Sequence, residues 1–444
     1  MSTQPDSATE ARHPVDMDVE WPLSRRGDVV PETCAWLREH RPVARVRTLT
    51  GEPAWLVSTH ELAGRVLHDD VFSLSALAEP GARLQYAPVF PETNRRTLQE
   101  MQDAGLREAI MRAVSPRVIK EASGGFRLRA EALLDELVAE GPPVDLRARF
   151  TDPYTVSVMS AVLGMPDDHG RVLMNGLDIA IMTVPHLFEG AQVNYDKGTA
   201  SMAALLRAPG AVEAPGLLGA LARLRAEQAE TGTGTETGAG TGTGTGTGAG
   251  MGTGAGTGAR TETGTDDADE QMARMLHGLF VAGAVSSSVF LLLSLLHLMQ
   301  RPDQLRWLRA HPEAMESAVE ELLRFNLAIG DGLPRVATRD TELGGVPIAA
   351  GDLVLVLVEG ANYDPAVFED PLRLDLTRGE CPHLSFGSGQ GYCPATTLAR
   401  THASVALSAV LERLPDLRLA IPESEINWRS GWVKRTPERL PVLW

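Results

Sequence analysis

Only three cysteines, Cys34, Cys381 and Cys393, occur in 444 residues. They are too few and too irregularly spaced for a disulfide framework or a zinc site, and their scarcity predicts a reducing, cytoplasmic setting. Positive charge is also short. Forty-one basic residues face 58 acidic ones, and the formal charge of -17 repels nucleic acid and anionic membrane surfaces, so neither is an expected partner. The stretch Met1–Arg26 is polar and proline-bearing, without a signal peptide's apolar core. Apolar residues are not lacking: at 43% over this length they can build a large core, in one big domain or in two or three ordinary ones.

One apolar run, His277–Met299, is long enough to span a bilayer. It follows the acidic run Asp266–Glu270, stands alone mid-chain and has no basic flank, which favours a helix buried through an α-rich domain and leaves a membrane span as the alternative. Ahead of it, Thr231–Thr265 is an almost unbroken Thr-Gly repeat with no apolar face, expected to be a flexible, disordered surface insertion. Elsewhere Pro42–Ser58 predicts a hairpin turning at Thr50-Gly51-Glu52, and strands are expected again in Val336–Leu343 and Leu353–Val358. Helical periods mark Glu61–His68, Gly105–Ala113, Phe126–Ala139, Pro153–Leu163, Gly216–Glu227, Met272–Met299, Pro302–His311, Pro312–Asn326 and Pro394–Leu414. The expected fold is mainly α with a small β component.

The most informative segment runs from His383 to Pro394, His-Leu-Ser-Phe-Gly-Ser-Gly-Gln-Gly-Tyr-Cys-Pro, just before the last helical pattern. It sets one thiol, Cys393, behind a glycine-rich bend at a helix entrance. Pro394 suits a first helical position, and the free amides of that helix end would stabilise a thiolate. Gly387 and Gly389 let the backbone turn beneath a flat object, while Phe386 offers an aromatic face beside the sulfur. An axial thiolate on haem iron needs these features. A plain buried cysteine at a strand-to-helix junction is the competing reading.

Phe386-Gly387-x-Gly389-x-x-x-Cys393, continuing to Leu398-Ala399-Arg400, resembles the haem-ligand signature of the bacterial cytochrome P450 family. The resemblance implies one domain over residues 22–444 after a flexible segment 1–21, with haem b between a long central helix and the Cys393 loop. It implies cofactor contacts from Arg107, Ala282, Arg335, His383, Phe386, Gly387, Gly389 and Ala399. Glu321 and Arg324 lie three apart on a predicted helix, where a solvated ion pair is the plain reading. By resemblance they form a buried structural triad with Arg373. Departures are equally visible: Asp103 and Gly391 stand where the family commonly has basic propionate donors, and Ala395 replaces a customary glycine.

In a typical oxygen-activating member an acid and a threonine of the central helix relay protons; Val285 and Ser286 stand there. Ser286 is expected to organise water, although helix-backbone hydrogen bonding would equally explain Ser286–Ser288. Thr48–Ser58, Asp103–Arg107, Asp331–Arg335, Glu359–Asn362 and Pro437–Trp444 resemble the family's actinobacterial branch that couples aromatic rings of cyclodipeptides. That branch places Val285, Ser286, Trp432, Val433 and Lys434 at the substrate. Trp432-Val433-Lys434-Arg435 replaces the branch's Phe-Gln-Arg-Arg, which points away from a purely tyrosine-derived substrate toward tryptophan. The expected reaction is radical carbon-carbon or carbon-nitrogen coupling, within one diketopiperazine or to a second one or a nucleobase such as guanine. A hydroxylase of a small natural product and a non-catalytic partner of a glycosyltransferase are the alternatives. Electrons would come from ferredoxin and ferredoxin reductase, docked near Arg107, Arg112, Arg117, Lys120 and Arg400, residues that would equally suit a merely solvated face.

Overall fold

A hairpin of β1 (Val43–Arg47) and β2 (Pro53–Val57) opens the sheet, its register pairing Val43 with Val57 and Arg47 with Pro53. In the computed structural model the described residues are 27–48, 50–79, 81–83, 85, 106–174, 188–232, 263–326, 332–429 and 435–444. Early helices are α1 (Glu32–His40) and α2 (His60–His68), followed by the short strand β3 (Phe72–Ser73). Then come α3 (Leu106–Ala113), α4 (Pro116–Glu140), β4 (Val144–Asp145), α5 (Asp152–Leu163), α6 (Asp167–Met174), α7 (Phe188–Arg207) and α8 (Gly216–Gly232). The long α9 (Thr263–Gln300) leads to α10 (Pro302–Ala310) and α11 (Met315–Phe325). Strands β5 (Leu333–Ala337), β6 (Thr341–Leu343), β7 (Val346–Ile348) and β8 (Leu353–Val356) precede α12 (Val358–Asn362), α13 (Thr396–Arg413), β9 (Arg418–Leu419) and β10 (Pro441–Leu443). The fold is mainly α with a small β component.

The larger sheet runs β1-β2-β8-β5-β3, with β2 and β8 parallel and its other pairs antiparallel. A second sheet, β4-β10-β9, ties the C-terminal strand to the start of the helical layer. The main apolar core extends from Ala109 to Val442 and is built around α9, whose residues Leu291–Leu293, Leu295, Leu296 and Leu298 have no exposure. It packs on α5, α7 and α13. This is the one described helix long and apolar enough to cross a membrane, and 72% of its apolar window is buried inside the fold, so core packing accounts for its composition.

Several boundaries differ from the sequence expectation for identifiable reasons. Helix α4 starts ten residues before Phe126, at Pro116 behind the cap residue Ser115; Ser123-Gly124-Gly125 interrupts the apolar period without breaking the helix. Val336–Leu343 is two strands, β5 and β6, separated by a turn. Helix α13 begins at Thr396 rather than Pro394, because Ala395 is its cap and the chain before it still belongs to the Cys393 bend. Most of Thr231–Thr265, together with residues 1–21 and Asp103, lies outside the described residues.

Candidate active site

The bend before α13 is set by two left-handed glycines, Gly387 at φ +68° and Gly389 at φ +60°. A Cβ on Gly389 would stand 2.0 Å from the Leu67 carbonyl oxygen at the end of α2, so only glycine fits there. The Cys393 amide donates to the Phe386 carbonyl at 3.0 Å and closes the loop. Burial pushes the Cys393 thiol up, opposed by the Ala395 amide and by Arg400, whose guanidinium lies 4.7 Å from the Phe386 ring centroid. Ala395 has φ -99°, a conformation open to any residue, so its departure from glycine carries no strain.

Between this loop and α9 lies a cavity of about 360 Å³. Cys393, Phe386, Gly387 and Ala399 line it from one side, and Ala282 and Ser286 from the other. Apolar side chains such as Ile110, Val114, Leu279 and Phe290 form most of the remaining wall. Cys393 and His402 are the only titratable side chains among the described lining residues.

Other expected site residues fall elsewhere. Val285 does not line the cavity; it is 8% exposed and packed in the core, because the residue before Ser286 is turned onto another face of the helix. His383 faces away, its Nε2 lying 3.3 Å from Glu320. Burial would raise the Glu320 carboxyl, but His383 and Arg400 hold it down at about 2. Gly389 backs onto α2 and lies outside the lining. Arg107 is exposed at the start of α3. Trp432, Val433 and Lys434 lie outside the described residues.

Glu321 and Arg324 are 1% and 0% exposed and form a bidentate pair, at 2.7 and 2.8 Å. Arg373 is not the third side chain: it is exposed and contributes its carbonyl, which accepts from Arg324 at 3.2 Å. Arg378 takes that place, donating to Glu321 at 2.9 Å. The cluster reaches the cysteine loop through Asn362, whose carbonyl accepts from Arg324 while its side chain holds the Leu384 amide and the Ser385 hydroxyl.

The Cytochrome P450 family profile matches residues 259–423. Mycocyclosin synthase of Mycobacterium tuberculosis is 38% identical over 427 residues, 96% of this chain and 98% of that protein. The chain belongs to the cytochrome P450 family. Nocardicin C N-oxygenase of Nocardia uniformis is 33% identical, covering 92% of this chain and 94% of that one. Among solved structures, HinD superposes with a TM-score of 0.79 at 31% identity, over 97% of this chain and all of that one. As a P450, the protein is a haem-thiolate oxidoreductase with Cys393 as its iron ligand.

The residues fit haem. Arg335 is 3% exposed, its Nη1 donates to the Pro334 carbonyl, and no described carboxylate pairs with it. A buried guanidinium in that state calls for an anion, which a haem carboxylate would supply. Its Nη2 occupies the place of a side chain at 391: a Cβ on Gly391 would lie 2.5 Å from it. The missing donor at 391 is therefore the space that Arg335 fills. Gly391→His, which restores a basic residue there, is expected to lower haem retention about tenfold by displacing Arg335. The haem-to-protein absorbance ratio after gel filtration checks this, and tighter retention would contradict it.

Sequence reasoning missed Asn326, His402 and Arg378. Asn326, the residue that ends α11, lines the cavity and donates to the Phe290 carbonyl at 3.0 Å. His402, a lone imidazole within the apolar period of α13, was a legible signal.

Proposed function

We propose that this P450 couples aromatic groups of a cyclodipeptide, tryptophan-containing in the first instance and tyrosine-containing in the second, forming a carbon-carbon or carbon-nitrogen bond. The observation that carries it is the α9 wall: no carboxylate lines the cavity among the described residues, and Val285, before Ser286, is packed in the core. A hydroxylase on this wall would lack its ionisable proton donor, whereas an indole N–H or phenol O–H brings its own proton to the cavity. A second diketopiperazine or a nucleobase such as guanine is a candidate co-substrate. The kinship to mycocyclosin synthase supports the reading, and kinship to hydroxylating relatives such as mycinamicin IV hydroxylase/epoxidase keeps the hydroxylase as the alternative.

In this reading Cys393 would hold the haem iron and Arg335 a haem carboxylate, with Phe386, Gly387, Ala282 and Ala399 as the further residues that would hold the group. When bound, the haem supplies the one-electron oxidising chemistry, using dioxygen and a reductant. Ser286 orients water or the departing proton through its hydroxyl, while Leu279 and Phe290 keep bulk water out. Two hydrogen atoms leave the substrate as the new bond forms, and the oxygen departs as water with two further electrons and protons. Trp432, Val433 and Lys434 would face the substrate.

The electron donors are read as ferredoxin and ferredoxin reductase, and the setting as cytoplasmic. Arg107 and Lys120 are exposed, but Arg112 and Arg117 pair with Glu108 and Glu121, and Arg400 with Glu320, so electrostatic steering there is weaker than a bare count of cations suggests. We read residues 22–444 as one domain, supported by the contiguous core from Ala109 to Val442. The exposed face of a bare glycosyltransferase partner would need neither Cys393 nor the carboxylate-free Arg335. Titration of the purified holoprotein with the ditryptophan, tryptophan-proline and dityrosine cyclodipeptides tests the substrate class. A saturable Soret shift with a tryptophan-containing compound is expected, and silence across the panel would leave the hydroxylase reading in front.

A further inference from the structure

Three consecutive serines on α9 have three different sets of partners. Ser286 lines the cavity; Ser287 Oγ shares a hydrogen bond of 2.9 Å with His402 Nε2; Ser288 donates to Thr151 Oγ1 at 3.1 Å and to the Asp152 carboxylate. His402 sits in the second turn of α13, the helix that follows Cys393, and is 2% exposed. Its carbonyl also accepts from the Tyr154 hydroxyl of α5, at 2.9 Å. One residue thus joins the thiolate helix to both α9 and α5, and Ser287 and His402 line the same cavity as Cys393.

Packing alone does not call for an imidazole here. Nδ1 of His402 is buried without a hydrogen-bond partner among the described residues, so half of the ring's polar capacity is unused there. Burial pushes the ring down to about 4, leaving it neutral near pH 7. An apolar side chain would avoid that desolvation. What the imidazole supplies is the directional bond to Ser287.

We propose that His402 is a positioning residue for the haem ligand: through Ser287 it fixes α13, and with it the Cys393 loop, against the α9 wall that carries Ser286. The inference rests on the haem-thiolate family assignment and not on the cyclodipeptide reading, and its test needs no substrate. Among the described side-chain hydrogen bonds of α13, the His402–Ser287 bond is the one whose two side chains both line the cavity.

The test is the carbon monoxide difference spectrum of reduced, substrate-free holoproteins carrying His402→Phe, His402→Gln, Ser287→Ala and the double change His402→Phe with Ser287→Ala. His402→Phe and Ser287→Ala are each expected to raise the fraction of folded protein that has lost thiolate ligation about fivefold, the effect of one lost hydrogen bond. The double variant goes no further, because the two side chains act as a unit. His402→Gln, which can still bond Ser287, keeps the thiolate band. A Phe variant with the wild-type thiolate fraction, a Gln variant as defective as Phe, or additive effects in the double variant would each overturn the proposal. So would a lower melting temperature with an unchanged thiolate fraction, since that is what a purely structural contact gives.

Discussion

Glu321→Gln is expected to lose about 3–5 kcal/mol of folding free energy, because it leaves the fully buried Arg324 without its counter-charge. Burial alone would lower the Arg324 pKa, and the paired Glu321 more than offsets it. The same carboxylate accepts from Arg378 and from the Asp375 amide at 3.0 Å, so three donors lose a charged acceptor at once. Against the 5–15 kcal/mol that a typical domain has in hand, this is a large share. The damage should reach the haem, since Arg324 holds the Asn362 carbonyl and Asn362 holds Leu384 and Ser385, just before Phe386. Denaturant midpoint and haem content, measured together, should fall together. Arg373→Ala supplies the contrast. The cluster uses its carbonyl and its side chain is exposed, so its effect should stay within about 0.5 kcal/mol. A loss at Arg373 as large as at Glu321 would show that the cluster is organised otherwise.

The protein is expected to lose stability as pH falls from 6.5 to about 4. His277, His297 and His402 are 0%, 0% and 2% exposed, and burial foremost pushes each ring from 6.5 to about 4. The unfolded chain takes up these protons near 6.5 while the folded one refuses them until about 4. Stability is therefore intact above 6.5 and is lost through that window. Each shift corresponds to a loss on the order of 3 kcal/mol, in the same direction for all three rings. Asp152, whose carboxyl burial pushes up, works in the opposite sense as one group against three. His297 is the cleanest probe: its ring is fully buried and stands edge-on to Phe325 at 5.0 Å. His297→Leu should move the acid unfolding midpoint downward in circular dichroism, and an unchanged midpoint would remove His297 from the mechanism.

Much of the fold was legible where pattern and capping agreed. The β1-β2 hairpin, α5, α9 and α10 follow from alternation, helical period and proline near helix starts. The cysteine loop was legible for a stronger reason: its glycines and thiol meet steric and electronic demands that few other residues satisfy. What failed to show were facts of three-dimensional aim. Neighbouring helix positions point about 100° apart, so Val285 and Ser286 look interchangeable along the chain but reach core and cavity respectively. Arg373 and Arg378 are both plausible partners for Glu321 in the irregular stretch after α12, and only the path of the backbone selects Arg378. His383 stood beside the signature, yet the bend carries its ring to Glu320. Gly391 read as a missing donor and is instead room for Arg335.

No described residue brings a carboxylate to the cavity wall, which makes a particular kind of substrate chemically sensible, one that brings its own removable hydrogen. The most direct measurement is product mass after turnover under labelled dioxygen, with the holoprotein, ferredoxin, ferredoxin reductase, NADPH and tryptophan-containing cyclodipeptides, alone and with guanine. Coupling predicts a product lighter than its precursors by two hydrogen atoms and free of labelled oxygen. A product heavier by one labelled oxygen atom would contradict coupling and make the protein a hydroxylase.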